Sequence, residues 1–175
     1  MNDLQYPIGK FSPPMRVSEA QRAAFIADIE ALPDQIRQVV QNLSDTQLDT
    51  PYRSGGWTIR QVVHHLPDSH ANSYIRFKWA LTEEHPTIKA YDEKLWADLP
   101  DAKHGDINAS IDMLDGLHQR WASLLKNMSE DDWGKSFIHP ETNKSVPLIY
   151  NLALYSWHGK HHLKHITNCI ELHQW

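Results

Sequence analysis

The sequence predicts an all-α protein, a four-helix bundle, on three observations. Apolar residues recur at steps of three and four over four long segments. Two of those segments open with a Ser/Thr-x-x-Gln capping box, the pattern that satisfies the free N–H groups of a helix start. Alternating strand patterns long enough for a sheet core are missing, although residues 136–146 could pair as a small hairpin. With 175 residues, 41% of them hydrophobic, the chain has the length of one domain and enough apolar surface to fill it. The expected unit is residues 1–175, a single helical bundle with an extended N-terminal arm over residues 1–17.

In the arm, Pro7, Gly9, Pro13 and Pro14 resist helix, while Tyr6, Ile8 and Phe11 offer side chains that dock on the body or on a partner subunit. Ser18-Glu19-Ala20-Gln21 opens the first helix, whose Phe25, Ile29, Leu32, Ile36, Val39 and Leu43 share a face; a kink is expected at Pro33. Ser54-Gly55-Gly56-Trp57 reads as a turn and Thr58-Ile59-Arg60-Gln61 as the second box, so the second helix starts at Thr58. Its stripe is Ile59, Val62, Leu66, Tyr74, Phe77 and Leu81, with Pro67 expected to kink or restart it and Pro86 to mark its end.

From about His85 to Gly105 the periodicity lapses, and the stretch is long for a bundle connection. It is expected to be a crossover between helices two and three, with Tyr91–Trp96 as one helical turn and Trp96 covering a pocket. The third helix runs from about Ile107 to Met128, and the fourth starts near Pro147, a residue suited to a first turn. Trp57 and Tyr155 are expected in the core. A short repeat links the two halves: Asn42-Leu43-Ser44-Asp45-Thr46-Gln47-Leu48 with Tyr52 matches Asn127-Met128-Ser129-Glu130-Asp131-Asp132-Trp133 with Phe137. Two related helical hairpins would bring the histidines of helices two and four together near a pseudo-twofold axis.

A net charge of −5 with interspersed signs gives no electrostatic footprint for nucleic acid or an anionic membrane. The single cysteine, Cys169, excludes an intrachain disulfide and reads as a small packing residue. No apolar run of membrane-spanning length or signal-peptide pattern is present, and the expected compartment is the cytoplasm. The sequence sets no subunit count, and a homodimer is compatible with it.

Twelve histidines are the main departure from ordinary composition, and His158, His161, His162 and His165 crowd one stretch of the fourth helix. At about 100° per residue, His162 lies ~45° and His158 ~85° from the centre of the apolar stripe, whereas His161 lies ~145° away and is expected to point toward solvent. His158 and His162, four apart, can grip one metal ion between them. His165 is intermediate. On the second helix His64 and His65 fall off the stripe and His70 on it, so the wheel does not choose a third ligand there.

Three stretches, Tyr6–Pro14, Gly55–His70 and Trp157–Ile166, resemble the YfiT-like branch of the DinB superfamily. The resemblance covers essentially the whole chain. It implies an up-down-down-up four-helix bundle binding a divalent metal, zinc or nickel, through three histidines. Carried over motif by motif, the ligands are His65, the histidine before the leucine that follows Trp-Thr, and the His158/His162 pair. Pro67 departs from the family pattern, which has a helix-compatible residue at that position.

Three neutral imidazoles leave the ion's charge uncompensated and a coordination position open, as in catalytic sites. Such an ion lowers the pKa of water to about 7 and deprotonates a thiol outright. Two enzyme readings follow, transfer of a low-molecular-weight thiol to an electrophile and hydrolysis of a small amide or ester. The resemblance favours the first, because that branch includes transferases using thiols such as bacillithiol; a non-catalytic metal- or ligand-binding bundle is the third reading. Asp68, Asn72 and Arg76 continue along the face of His65 at helical spacing and are expected to orient a ligand or hold a substrate carboxylate. His165 is the other expected partner of a ligand.

Overall fold

The structure, a computed structural model, describes residues 4–175. In chain order it contains α1 (Glu19–Val40), α2 (Asp45–Leu48), α3 (Ile59–Thr82), α4 (Glu93–Ala97), α5 (Pro100–His104), α6 (Ile107–Lys126), α7 (Glu130–Gly134), β1 (Ser136–His139), β2 (Lys144–Pro147) and α8 (Leu148–His173). α1, α3, α6 and α8 are the four long helices. Both expected capping boxes form, at Ser18/Gln21 and Thr58/Gln61, and two more open α2 and α7 at Ser44/Gln47 and Ser129/Asp132. α1 runs unbroken in its helical assignment through Pro33, and α3 continues past Pro67 without the restart that was one of the two outcomes expected there.

Side-chain pairs give the topology. Glu30 meets Lys126 and Arg37 meets Asp112, so α1 and α6 are antiparallel. Ser69 meets Tyr155 and Ser73 meets Asn151, so α3 and α8 are antiparallel as well. His64 with Ser110 and His70 with His118 make α3 and α6 parallel, and Asp28 with Ser156 and Leu32 against Gly159 make α1 and α8 parallel. The order is up-down-down-up, and it explains the long connection. Because α3 and α6 point the same way, residues 83–106 must return the length of the bundle, and α4 and α5 cover that return against α3.

The repeat has a structural counterpart. α1–α2–α3 and α6–α7–α8 share an order of a long helix, a short capped turn and a second long helix, with the β1–β2 hairpin inserted before α8 in the second half. Buried Arg60 fastens the first short turn, pairing with Asp45 and Asp49 at 2.7 Å each and donating to the Gly105 carbonyl at 3.0 Å.

The core falls into two apolar clusters. One gathers Ile29, Phe77, Trp121, Phe137, Leu148 and Leu152; the other gathers Ile36, Ile59, Leu66, Ile111, Leu114 and Ile166. Along α3, α6 and α8 the residues between the clusters are His70, His118, His158 and His162. A layer of imidazoles thus divides the bundle into two hydrophobic halves.

The arm lies on α8, with the Phe11 ring 5.4 Å from Tyr150 and 5.9 Å from Trp157, and Tyr6 5.9 Å from His161. Ile8 does not dock and remains 41% exposed. Removal of residues 1–14 should cost roughly 2–3 kcal/mol of aromatic burial, which for a chain of this size lowers the melting temperature by roughly 5–10 °C. Circular dichroism on the truncated chain checks this, and an unchanged value would show that the docked aromatics contribute no net stability.

Candidate metal centre

His65 projects from α3 and His158 and His162 from successive turns of α8, and one ring nitrogen of each lies within 4.8 Å of the others. The antiparallel contact of α3 with α8 produces this convergence. The ring centroids are 4.5–5.3 Å apart, and His65 Nε2 lies 3.3 Å from His158 Nε2. Two nitrogens each ~2.0–2.1 Å from a tetrahedral zinc are about 3.3 Å apart, so that pair has the spacing a shared ion requires. Trp57 walls the cluster, its ring 4.7 Å from His65 and 6.4 Å from His162; it is half-buried there rather than a core residue.

Burial fixes the protonation of these rings. Desolvation, helped by the neighbouring His161, pushes His65 down to about 4, and desolvation holds His158 and His162 well below the ordinary range. They are neutral at physiological pH, the state a metal ligand needs. Among the described residues, no carboxylate belongs to the cluster.

A cavity of ≈ 210 Å³ abuts His158 and is lined by Ser69, Arg76, Tyr91, His139 and Tyr155, with the carboxylates Glu93 and Glu141. Arg76 Nε and His139 Nδ1 are buried without a hydrogen-bond partner among the described residues. Burial raises the Tyr91 hydroxyl far above its ordinary value, so Tyr91 enters the cavity as a neutral phenol. Tyr91, rather than Trp96, lines this side of the cavity. Trp96 packs on Tyr91 at 4.6 Å and remains 40% exposed.

The DinB superfamily profile matches residues 21–166, and relatives match over full length. The chain belongs to the DinB superfamily. It is 50% identical over 175 residues to a Bacillus cereus protein named as a candidate metal-dependent hydrolase, covering 100% of both chains. It is 47% identical to YfiT of Bacillus subtilis over 99% of this chain and 97% of that protein. A solved structure of YfiT, described as a probable metal-dependent hydrolase with an unusual four-helix bundle topology, superposes with a TM-score of 0.97 over 99% of each chain.

Within this DinB fold the other expected site residues separate. Arg76 lines the cavity, whereas Asn72 donates its amide to the Asp68 carbonyl in its own helix at 2.9 Å and does not reach it. Asp68, raised to about 6 by burial and by nearby Asp101, stays off the cavity wall. His165 is buried between His162 and the Gln5 carbonyl, under Tyr52 at 4.0 Å. His161 corrects the helical wheel: instead of facing solvent it is 7% exposed, stacked on Trp157 at 4.5 Å and covered by Tyr6 of the arm. His64 and His70, left open between core and surface, are both buried, His64 against Ser110 and Gly105, His70 against His118 and His158. Cys169 is a buried packing residue, as its helical context suggested. His139 was not singled out in the sequence, because nothing local shows that a hairpin residue reaches the cavity.

The buried histidines set the acid stability. An unfolded histidine protonates near 6.5, whereas His65 and His118 in the fold do so only at about 4, and His70, His158 and His162 are also pushed down. Between those values the unfolded chain binds protons that the folded chain refuses. Stability is therefore fully present above about pH 6.5 and lost as pH falls toward 4, by up to about 1.4 kcal/mol per pH unit for each histidine. Urea midpoints of chelator-treated protein should drop steadily from about pH 7.5 to pH 5. A flat profile across that interval contradicts the burial of neutral rings.

Proposed function

We propose that the chain is a metal-dependent enzyme in which His65, His158 and His162 hold a divalent ion, zinc or nickel, and a small nucleophile is activated beside the cavity at His158. The observation that carries this reading is the cluster itself: three neutral imidazoles at ligand spacing with no carboxylate among them. A divalent ion held there supplies Lewis acidity that favours the anionic form of a small nucleophile. The three imidazoles bring no charge of their own, so an anionic donor such as a thiolate is preferred.

The chain's own groups support transfer of a low-molecular-weight thiol to an electrophile as the first reading. The cavity carries one guanidinium, from Arg76, and two carboxylates, from Glu93 and Glu141. Such a lining suits a small substrate bearing both acid and amine, as amino-acid-derived thiols do. Arg76 would hold the acid, His139 would donate to or accept from a neighbouring polar group, and Tyr155 and Tyr91 would shed water from the reacting face. Hydrolysis of a small amide or ester is the second reading, and the names of the Bacillus relatives favour it.

Turnover decides between them. Monochlorobimane offered with a panel of small thiols, with and without chelator, tests transfer; nitrophenyl esters and anilides test hydrolysis. Chelator-sensitive bimane conjugation is the expected result. Ester or anilide turnover without thiol transfer would replace the first reading by the second, and no metal-dependent turnover of either kind would leave a binding role.

Metal content tests the site separately. The purified chain should carry about one divalent ion, and His65→Ala, His158→Ala or His162→Ala should each weaken binding by about 100-fold or more, whereas His161→Ala should leave stoichiometry unchanged. Full occupancy in His158→Ala would overturn the ligand assignment. Arg76→Ala should keep the metal and raise KM for a carboxylate-bearing substrate about 10–100-fold, the cost of one charge-assisted contact.

A further inference from the structure

We infer that two histidine relays, each anchored on a backbone carbonyl, determine which ring nitrogen His158 and His162 present to the centre. The inference rests on the metal reading for its purpose, but its geometry stands on hydrogen bonds alone. A carbonyl oxygen can only accept, so an imidazole nitrogen facing one must carry the proton. A neutral imidazole has one N–H, so its other nitrogen must then accept. Fixing the first ring fixes every ring behind it.

In the first relay, His118 Nδ1 lies 2.5 Å from the Ile29 carbonyl and donates to it. His118 Nε2 is therefore bare and accepts from His70 Nδ1 at 2.9 Å. His70 Nε2 is bare in turn and accepts from His158 Nδ1 at 3.1 Å. That leaves the lone pair of His158 on Nε2, the atom 3.3 Å from His65 Nε2. The relay visits α1, α6, α3 and α8, all four long helices.

Neutrality holds because His70 is 0% and His118 1% exposed, and neither has a carboxylate in its hydrogen bonds. The anchor exists because of a proline. In a regular helix the carbonyl of residue 29 accepts the N–H of residue 33, but residue 33 is Pro33 and has none. The carbonyl left over by α1 is the one His118 uses.

The second relay starts in the N-terminal arm. His165 Nε2 lies 3.2 Å from the Gln5 carbonyl and donates to it, so His165 Nδ1 is bare and accepts from His162 Nδ1 at 3.4 Å. His162 is left with its lone pair on Nε2. The two relays differ in length and anchor their first rings, His118 and His165, by opposite nitrogens, yet both end on an outward Nδ1–H and a bare Nε2, at His158 and at His162. His70, His118 and His165 are thus positioning residues, acting on the centre through His158 and His162.

Long-range ¹H–¹⁵N correlation of the histidine rings in the full chain, first treated with chelator and then loaded with zinc, reads the tautomers. The expected pattern, already present without metal, is Nδ1–H at His118, His70, His158 and His162 and Nε2–H at His165. Nε2–H at His118 or His70 overturns the first relay, and Nδ1–H at His165 overturns the second. His118→Leu removes the acceptor for His70 and should weaken zinc binding about 10–100-fold, while His118→Gln keeps an acceptor oxygen and should stay within about threefold of the parent. Equal losses in both variants would mean that His118 only fills space. If the tautomers are as expected and the parent chain binds no divalent metal, the relays stand and the metal reading falls.

Discussion

The constraint on which the structure depends is that several imidazoles are buried as neutral groups in one layer of a helical bundle. A neutral imidazole is apolar enough to sit between two hydrophobic clusters, but each of its nitrogens must find a partner or leave a desolvated polar atom. The bundle meets this by letting the rings satisfy one another and by ending the chains of contacts on backbone carbonyls of Ile29 and Gln5. His65, His158 and His162 are left facing a common point, and their neutrality comes first from burial and then from the mutual repulsion of neighbouring histidines.

The helix order is compatible with the same layer. His65 on α3 and His158 and His162 on α8 face one another across an antiparallel contact, and His118 approaches His70 from a third helix. With α6 parallel to α3, His70 and His118 lie at matching heights, and both sit at the level of the cluster. The parallel pairing requires a return of the chain over residues 83–106. That return supplies Tyr91 and Glu93 to the cavity beside His158. One piece of chain therefore closes the topology and lines the site.

Much of this was legible in the sequence, for identifiable reasons. Helical spacing and the Ser18 and Thr58 capping boxes are local signals, and they located the long helices. The four-residue spacing of His158 and His162 is equally local and put both rings on the inner side of α8. The burial of His161 was not legible, because the cover comes from Tyr6, 155 positions away in the chain and in a segment with no periodicity to place it. His65 could be chosen over His64 and His70 only through the family motif, since helical phase does not tell which neighbouring helix each ring will meet. In the structure all three are buried, against three different sets of partners.

Pro33 is a local signal whose consequence lies in another helix. A proline within a helical pattern ordinarily argues for a kink, because it removes one hydrogen bond and crowds the preceding turn. Here α1 continues through it, and the lost bond leaves the Ile29 carbonyl pointing at α6, where His118 occupies it. The broken local rule has a partner in another helix, as is expected where local preference yields to a tertiary demand. A backbone vacancy on α1 and a histidine on α6 are unremarkable separately. Together they orient a ring on α3 and, through it, His158 on α8, so the orientation of the imidazole cluster is a property of the assembled bundle and of no single segment.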